Sequence, residues 1–216
     1  MSIRLAHHQW QGLQRRSRGF TLTEFLVVAA VIAIVATLVV RTTGQSLKRE
    51  QLNAITVDLY GWLESIQRKA MSVDPNQRQQ NPDQFPTCRV TFNNGTLTPG
   101  SVLASTPAFC APGSVEQGGN AVFLLPYSKQ QKTFIVQTFN GNVATFSPRG
   151  TVTFTEEGSS KALDGPFTVE ITREDSSITR CLRMEPLLGF LAVGAMNNQQ
   201  PSAVQDCPES SFDGAF

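Results

Sequence analysis

The chain has 216 residues, 18 basic against 17 acidic, with 16% charged residues and a formal net charge of +1. That balance excludes a bulk cationic surface for nucleic acid. The only histidines are His7 and His8, so the rest of the chain has no Ser-His or Cys-His nucleophile pair and no histidine-ligated metal site.

The first informative stretch is 15–40, RRSRGFTLTEFLVVAAVIAIVATLVV. Arginines and Gly19 come first. Glu24 follows, and 25–40 is apolar apart from Thr37. A bilayer core needs roughly 20 apolar helical residues, and 20–40, at 21 residues, has the length of a span. Glu24 is out of place there, because a carboxylate at the edge of a lipid-buried helix costs a few kcal/mol and marks function.

The basic leader, the run Gly19-Phe20-Thr21-Leu22-Thr23-Glu24 and the uninterrupted apolar segment together resemble the class III signal of type IV prepilins and pseudopilins. The resemblance implies cleavage by a prepilin peptidase between Gly19 and Phe20, N-methylation of Phe20, and an assembly role for Glu24. In such a filament the Glu24 carboxylate of one subunit neutralises the new Phe20 amine of its neighbour. It implies that 1–19 is a removed leader, which leaves 14 basic and 17 acidic residues, a net charge of −3. Arg15, Arg16 and Arg18 hold the leader in the cytoplasm, while Arg41, Lys48 and Arg49 weaken that asymmetry. An ordinary secretory signal cut near Val35-Ala36 and an uncleaved signal anchor are the competing readings.

No proline occurs from Phe20 to Val73, so the helix is expected to continue beyond the apolar segment. Leu52, Ile55, Leu59, Trp62, Leu63, Ile66, Ala70 and Val73 form an apolar stripe of helical period. Asn53, Asp58, Glu64, Gln67, Arg68 and Lys69 lie on the other face. The expected layout is a membrane-spanning, assembling half at 20–47 and an outer domain at 48–216. That domain comprises an amphipathic helix over 48–73, a β-sheet region over 88–196 and a polar tail.

Residues 74–87 contain three prolines and four glutamines and read as a loop. Beyond them the apolar period falls to two, with strands expected at 88–92, 121–125, 133–139, 143–146, 151–155, 167–173, 178–184 and 189–193. Asn94-Gly95 reads as a turn, and Asn140-Gly141 and 175–177 read as hairpin turns. Residues 98–120, rich in Gly, Pro and Ser, read as irregular. The fold class is therefore α+β, a long N-terminal helix packed on an antiparallel sheet.

Phe146-Ser-Pro-Arg-Gly150, with the later Ile178-Thr-Arg-Cys-Leu-Arg183 and Gly189-Phe190, resembles the C-terminal half of H-type pseudopilins and FimT-like minor pilins. Pro148-Arg149-Gly150 also reads as an ordinary turn.

Cys88, Cys110, Cys181 and Cys207 all follow the apolar segment, and none forms a CxxC pair. An even count in an exported domain favours disulfides. Three connectivities are open, of which Cys88–Cys110 with Cys181–Cys207 is preferred because each closes a loop of about 20–30 residues.

FimT-like pilins bind DNA through a Gly-Arg-x-Arg motif. Arg180 and Arg183 are the corresponding candidates, but their spacing is one residue longer and the glycine is missing. A solvated sheet edge is the preferred reading for them. No phosphate-binding glycine loop or convergent carboxylate motif is present, so neither catalysis nor a cofactor or metal is expected. The expected partners are other pilins or pseudopilins, the prepilin peptidase, an inner-membrane assembly platform and lipid. The expected location is the inner membrane with the C-terminal domain in the periplasm.

Overall fold

The computed structural model describes residues 21–72, 87–127, 132–176, 178–186, 189–197 and Cys207. The expected cleavage site, the proline-rich loop and most of the tail lie outside them. The chain divides into two compact units, Met1–Thr43 and Gly44–Phe216. One helix, α1 (Leu22–Met71), supplies residues to both.

In the first unit the helix is apolar on every side. Leu22, Phe25, Leu26, Val28, Val31, Ile32 and Val35 are all exposed. Thr37 turns its hydroxyl back to the Ile34 carbonyl at 2.7 Å, which satisfies the one polar side chain in the run without a partner element. Among the described residues no helix is long and apolar enough to cross a membrane. The described side chains of this unit stop at Thr37, short of the roughly 20 residues a bilayer core requires.

In the second unit the apolar stripe does what its period predicts. Leu52, Ile55, Leu59, Leu63, Ile66 and Ala70 are buried in one core with residues of both sheets. Thr56 is buried too, and bonds the Leu52 carbonyl at 2.8 Å. Trp62 covers the edge of the core, 5.8 Å from the Phe123 ring, with its indole N–H on Ser114 Oγ at 3.1 Å. Leu59→Ala removes a fully buried side chain and is expected to cost about 3 kcal/mol. The check is thermal unfolding of the full chain in detergent, where the midpoint should fall by about 10 °C.

The β region forms two antiparallel sheets where the sequence suggests one. The strands are β1 (Cys88–Phe92), β2 (Gly95–Leu97), β3 (Val102–Pro107), β4 (Val115–Gln117), β5 (Asn120–Leu124), β6 (Phe134–Phe139), β7 (Val143–Phe146), β8 (Val152–Thr155), β9 (Phe167–Arg173), β10 (Ile178–Met184) and β11 (Leu191–Asn197). One sheet has the order β4-β5-β3-β1-β7-β8, the other β11-β10-β9-β6-β2. The sheets meet at Phe167, whose ring lies 5.1 Å from Phe92 and 5.3 Å from Phe154.

Two local expectations are corrected. Residues 98–120 are not irregular, since they hold β3, β4 and a 3-10 turn, Ala108–Cys110. Thr, Ser and Pro in that stretch hide the strand pattern, yet β3 pairs with both β1 and β5. Asn140-Gly141 does make a tight turn, with φ of 60° and 100°, but it is not a hairpin. β6 belongs to one sheet and β7 to the other, so the turn carries the chain between layers. Asn94 likewise lies between β1 and β2, which begins at Gly95 and belongs to the other sheet. The turn at 147–150 does join a hairpin, β7–β8, with Ser147 N–H on the Thr151 carbonyl at 2.8 Å. The segment around Asp175 joins β9 to β10, also neighbours.

That last connection also ties the sheet to α1. Lys48 Nζ lies 3.2 Å from an Asp175 carboxylate oxygen and donates to its carbonyl at 2.8 Å. Arg173 Nε lies 2.7 Å from the other carboxylate oxygen and its guanidinium also reaches Gln51.

Candidate functional site

Gly19 and Phe20 lie outside the described residues, so the site is described from Thr21 onward. Thr21 and Glu24 form a capping box at the start of α1. The Glu24 N–H donates to Thr21 Oγ1 at 3.3 Å. In return Glu24 Oε2 accepts from the Thr21 backbone N–H at 3.4 Å and from its hydroxyl at 3.3 Å. The first helical bond, Phe25 N–H to Thr21 C=O, follows at 3.2 Å. Helices begin with unsatisfied N–H groups, and a Thr-x-x-Glu pattern satisfies two of them reciprocally. A carboxylate there also meets the positive end of the helix dipole.

Reading Glu24 only as a charge partner therefore misses a local role. The signal was present in the spacing Thr21-Leu22-Thr23-Glu24 itself. The two roles are compatible: the capping contacts use Oε2, and both Thr21 and Glu24 are exposed. An apolar helix exposed all round must be covered by lipid or other helices.

The cysteines pair as Cys88–Cys110 and Cys181–Cys207, with Cα separations of 5.6 and 6.4 Å. The first ties β1 to the 3-10 turn, and the second ties β10 to the C-terminal segment. Glu170 lies with its carboxylate within 4.8 Å of the Cys181 and Cys207 sulfurs. Both sulfurs are spent in the disulfide, so the trio offers no thiolate to a metal ion.

Arg180 and Arg183 are not at a solvated sheet edge. β10 lies between β9 and β11. Arg180 is only 3% exposed and shares its face with the buried Leu182 and Met184. Arg183 is on the opposite face, half-buried, with Nε 2.7 Å from Glu185. The structure thus does not bring the two arginines together as one surface. Arg149 is exposed in the β7–β8 turn.

Residues 14–40 match the family model of the prokaryotic N-terminal methylation motif. No curated protein and no solved structure matches the chain. The chain therefore carries a prepilin-type N-terminal signal, and the matched range contains Gly19, Phe20, Glu24 and the whole apolar segment.

Proposed function

We propose that the chain is a minor type IV pilin or pseudopilin, a structural subunit rather than an enzyme. A prepilin peptidase cuts between Gly19 and Phe20 and Phe20 is N-methylated. Residues 20–40 hold the subunit in the inner membrane with its disulfide-bonded β domain in the periplasm. An assembly platform then extracts it into a filament. The observation that carries this reading is the methylation-motif match over 14–40. The all-round apolar exposure of the helix at 22–35 supports it, since such a surface requires lipid or neighbouring helices.

In the filament, Glu24 meets the Phe20 amine of an adjacent subunit. Each charge is costly to bury alone, so only the register that pairs them is favourable. The assignment to H-type or FimT-like subunits rests on the sequence resemblance at 146–150 and 178–190. The DNA-binding alternative draws no support from Arg180, which is buried, or from Arg183, which is ion-paired.

Mass spectrometry of the protein from its native membrane tests the proposal. The expected N-terminus is methylated Phe20. An intact Met1, or a start near Thr37, would replace this reading with a β domain on an uncleaved anchor or an ordinary secreted domain.

A further inference from the structure

Where the chain passes from one sheet to the other, the second unit holds an open cavity of about 530 Å³. Its walls come from three places: Asn94 after β1, the β6–β7 turn from Thr138 to Asn142, and Glu156 with Glu157 after β8. Side-chain bonds fix those walls. Asn94 Nδ2 donates to Thr138 Oγ1 at 2.8 Å, and Asn140 Nδ2 donates to the Pro166 carbonyl at 2.5 Å. Asn142 and Glu157 hold each other: the Glu157 N–H donates to Asn142 Oδ1 at 2.7 Å, and Asn142 Nδ2 donates to Glu157 Oε2 at 3.4 Å. At positions 94 and 140 the amide nitrogen is thus turned onto the protein. The two amide oxygens take no hydrogen bond among the described residues, and neither does the Glu156 carboxylate. No Lys or Arg lines the cavity. Asn94, Asn140, Glu156 and Glu157 are all exposed, so the opening faces solvent.

A second depression, of about 460 Å³, adjoins the first and shares Asn94, Thr138 and Phe139 with it. It runs over β2 and β6, where Thr96 lies opposite Ile135 and Ile135, Gln137 and Phe139 share one face. β2 is the end strand of its sheet, so an extended segment can lie along this groove from outside. The unfilled capacity of the first cavity is for hydrogen-bond donors and positive charge. A calcium ion brings the charge, but its oxygen ligands close to about 2.3–2.6 Å, and a cavity of this volume is far wider than such a cage. A guanidinium matches better. It has donors and no acceptor, it forks onto carboxylates, and its flat face stacks on an aromatic ring, which Phe139 supplies where the two depressions meet. We propose that this groove docks an arginine-bearing segment of a partner protein, with the guanidinium in the Asn/Glu cavity and an adjacent aliphatic side chain over β2 and β6. The inference goes beyond the filament reading and does not depend on it.

The probe is the blocked dipeptide acetyl-Arg-Leu-amide. It is titrated into the full chain in neutral detergent while the side-chain amide resonances of Asn94 and Asn140 are followed by NMR. Saturable shifts of both are expected, with binding that weakens as salt is raised. The citrulline analogue keeps the shape and loses the charge, and is expected to bind about tenfold more weakly. The arginine peptide is expected to lose a similar factor on Glu156→Gln. Glu156 is exposed and makes no side-chain bond, so that variant leaves the fold intact. No saturable shift, equal binding of the citrulline peptide, or undiminished binding by Glu156→Gln overturns the site. Calcium chloride that gives the same resonance shifts at a lower concentration than the peptide makes the cavity a metal site and overturns the arginine assignment.

Discussion

Glu24→Gln is expected to be cleaved and methylated normally, yet to enter filaments at least tenfold less than the parent when the two are co-expressed. Glutamine at this position keeps a side-chain oxygen for the Thr21 N–H and hydroxyl, so the capping box survives. What it removes is the negative charge. A neighbouring Phe20 amine then stays unpaired inside the helix bundle, a penalty of about 3–5 kcal/mol. Glu24→Ala loses the charge and the cap together, and is expected to incorporate no better than the glutamine variant. Comparing the two separates the roles. If glutamine incorporates like the parent and alanine does not, Glu24 acts only by starting the helix. If both incorporate normally in the sheared fraction, the pairing mechanism is wrong.

Gly141→Ala is expected to be the most damaging small substitution in the β domain. Gly141 has φ of 100°, and a Cβ there would lie 2.4 Å from the Thr155 carbonyl oxygen and 2.8 Å from its carbon. That carbonyl also accepts the Asn142 N–H at 3.2 Å, so retreat breaks a hydrogen bond as well. Left-handed strain of 1–3 kcal/mol and the clash together suggest a loss of about 4 kcal/mol, or roughly a 10 °C fall in unfolding midpoint. Gly158→Ala is the control. Gly158 has φ of 81° with nothing within 4 Å of its Cβ position, so it carries the backbone strain alone. Equal midpoints for the two variants would show that the turn relaxes and that the close approach to Thr155 is not restrictive.

Much of the fold was legible because its signals are local. The stripe from Leu52 to Ala70 follows from helical period, and β1, β7, β9 and β10 begin and end where alternation and turn residues say they do. The segment 98–120 was not legible. Val102–Pro107 contains Ser, Thr and Pro, and its strand character comes from the partners on either side rather than from its own preference. Asn140-Gly141 shows the same division on a smaller scale. Two successive positive φ values are a property of those residues, but which strand follows, and in which sheet, is a property of the whole domain.

The amino-acid sequence by itself determined the processing signal, the acid at position 24, the helix and its buried stripe, since each depends on residues a few positions apart. Only the tertiary structure decided the split into two sheets and the fate of Arg180. An arginine in a strand reads as solvated because arginines usually are. Here pairing on both sides of β10 and the cover of the core override that tendency. Burial is set by non-local packing, so a charge that looked like part of a surface became a buried side chain inside the domain.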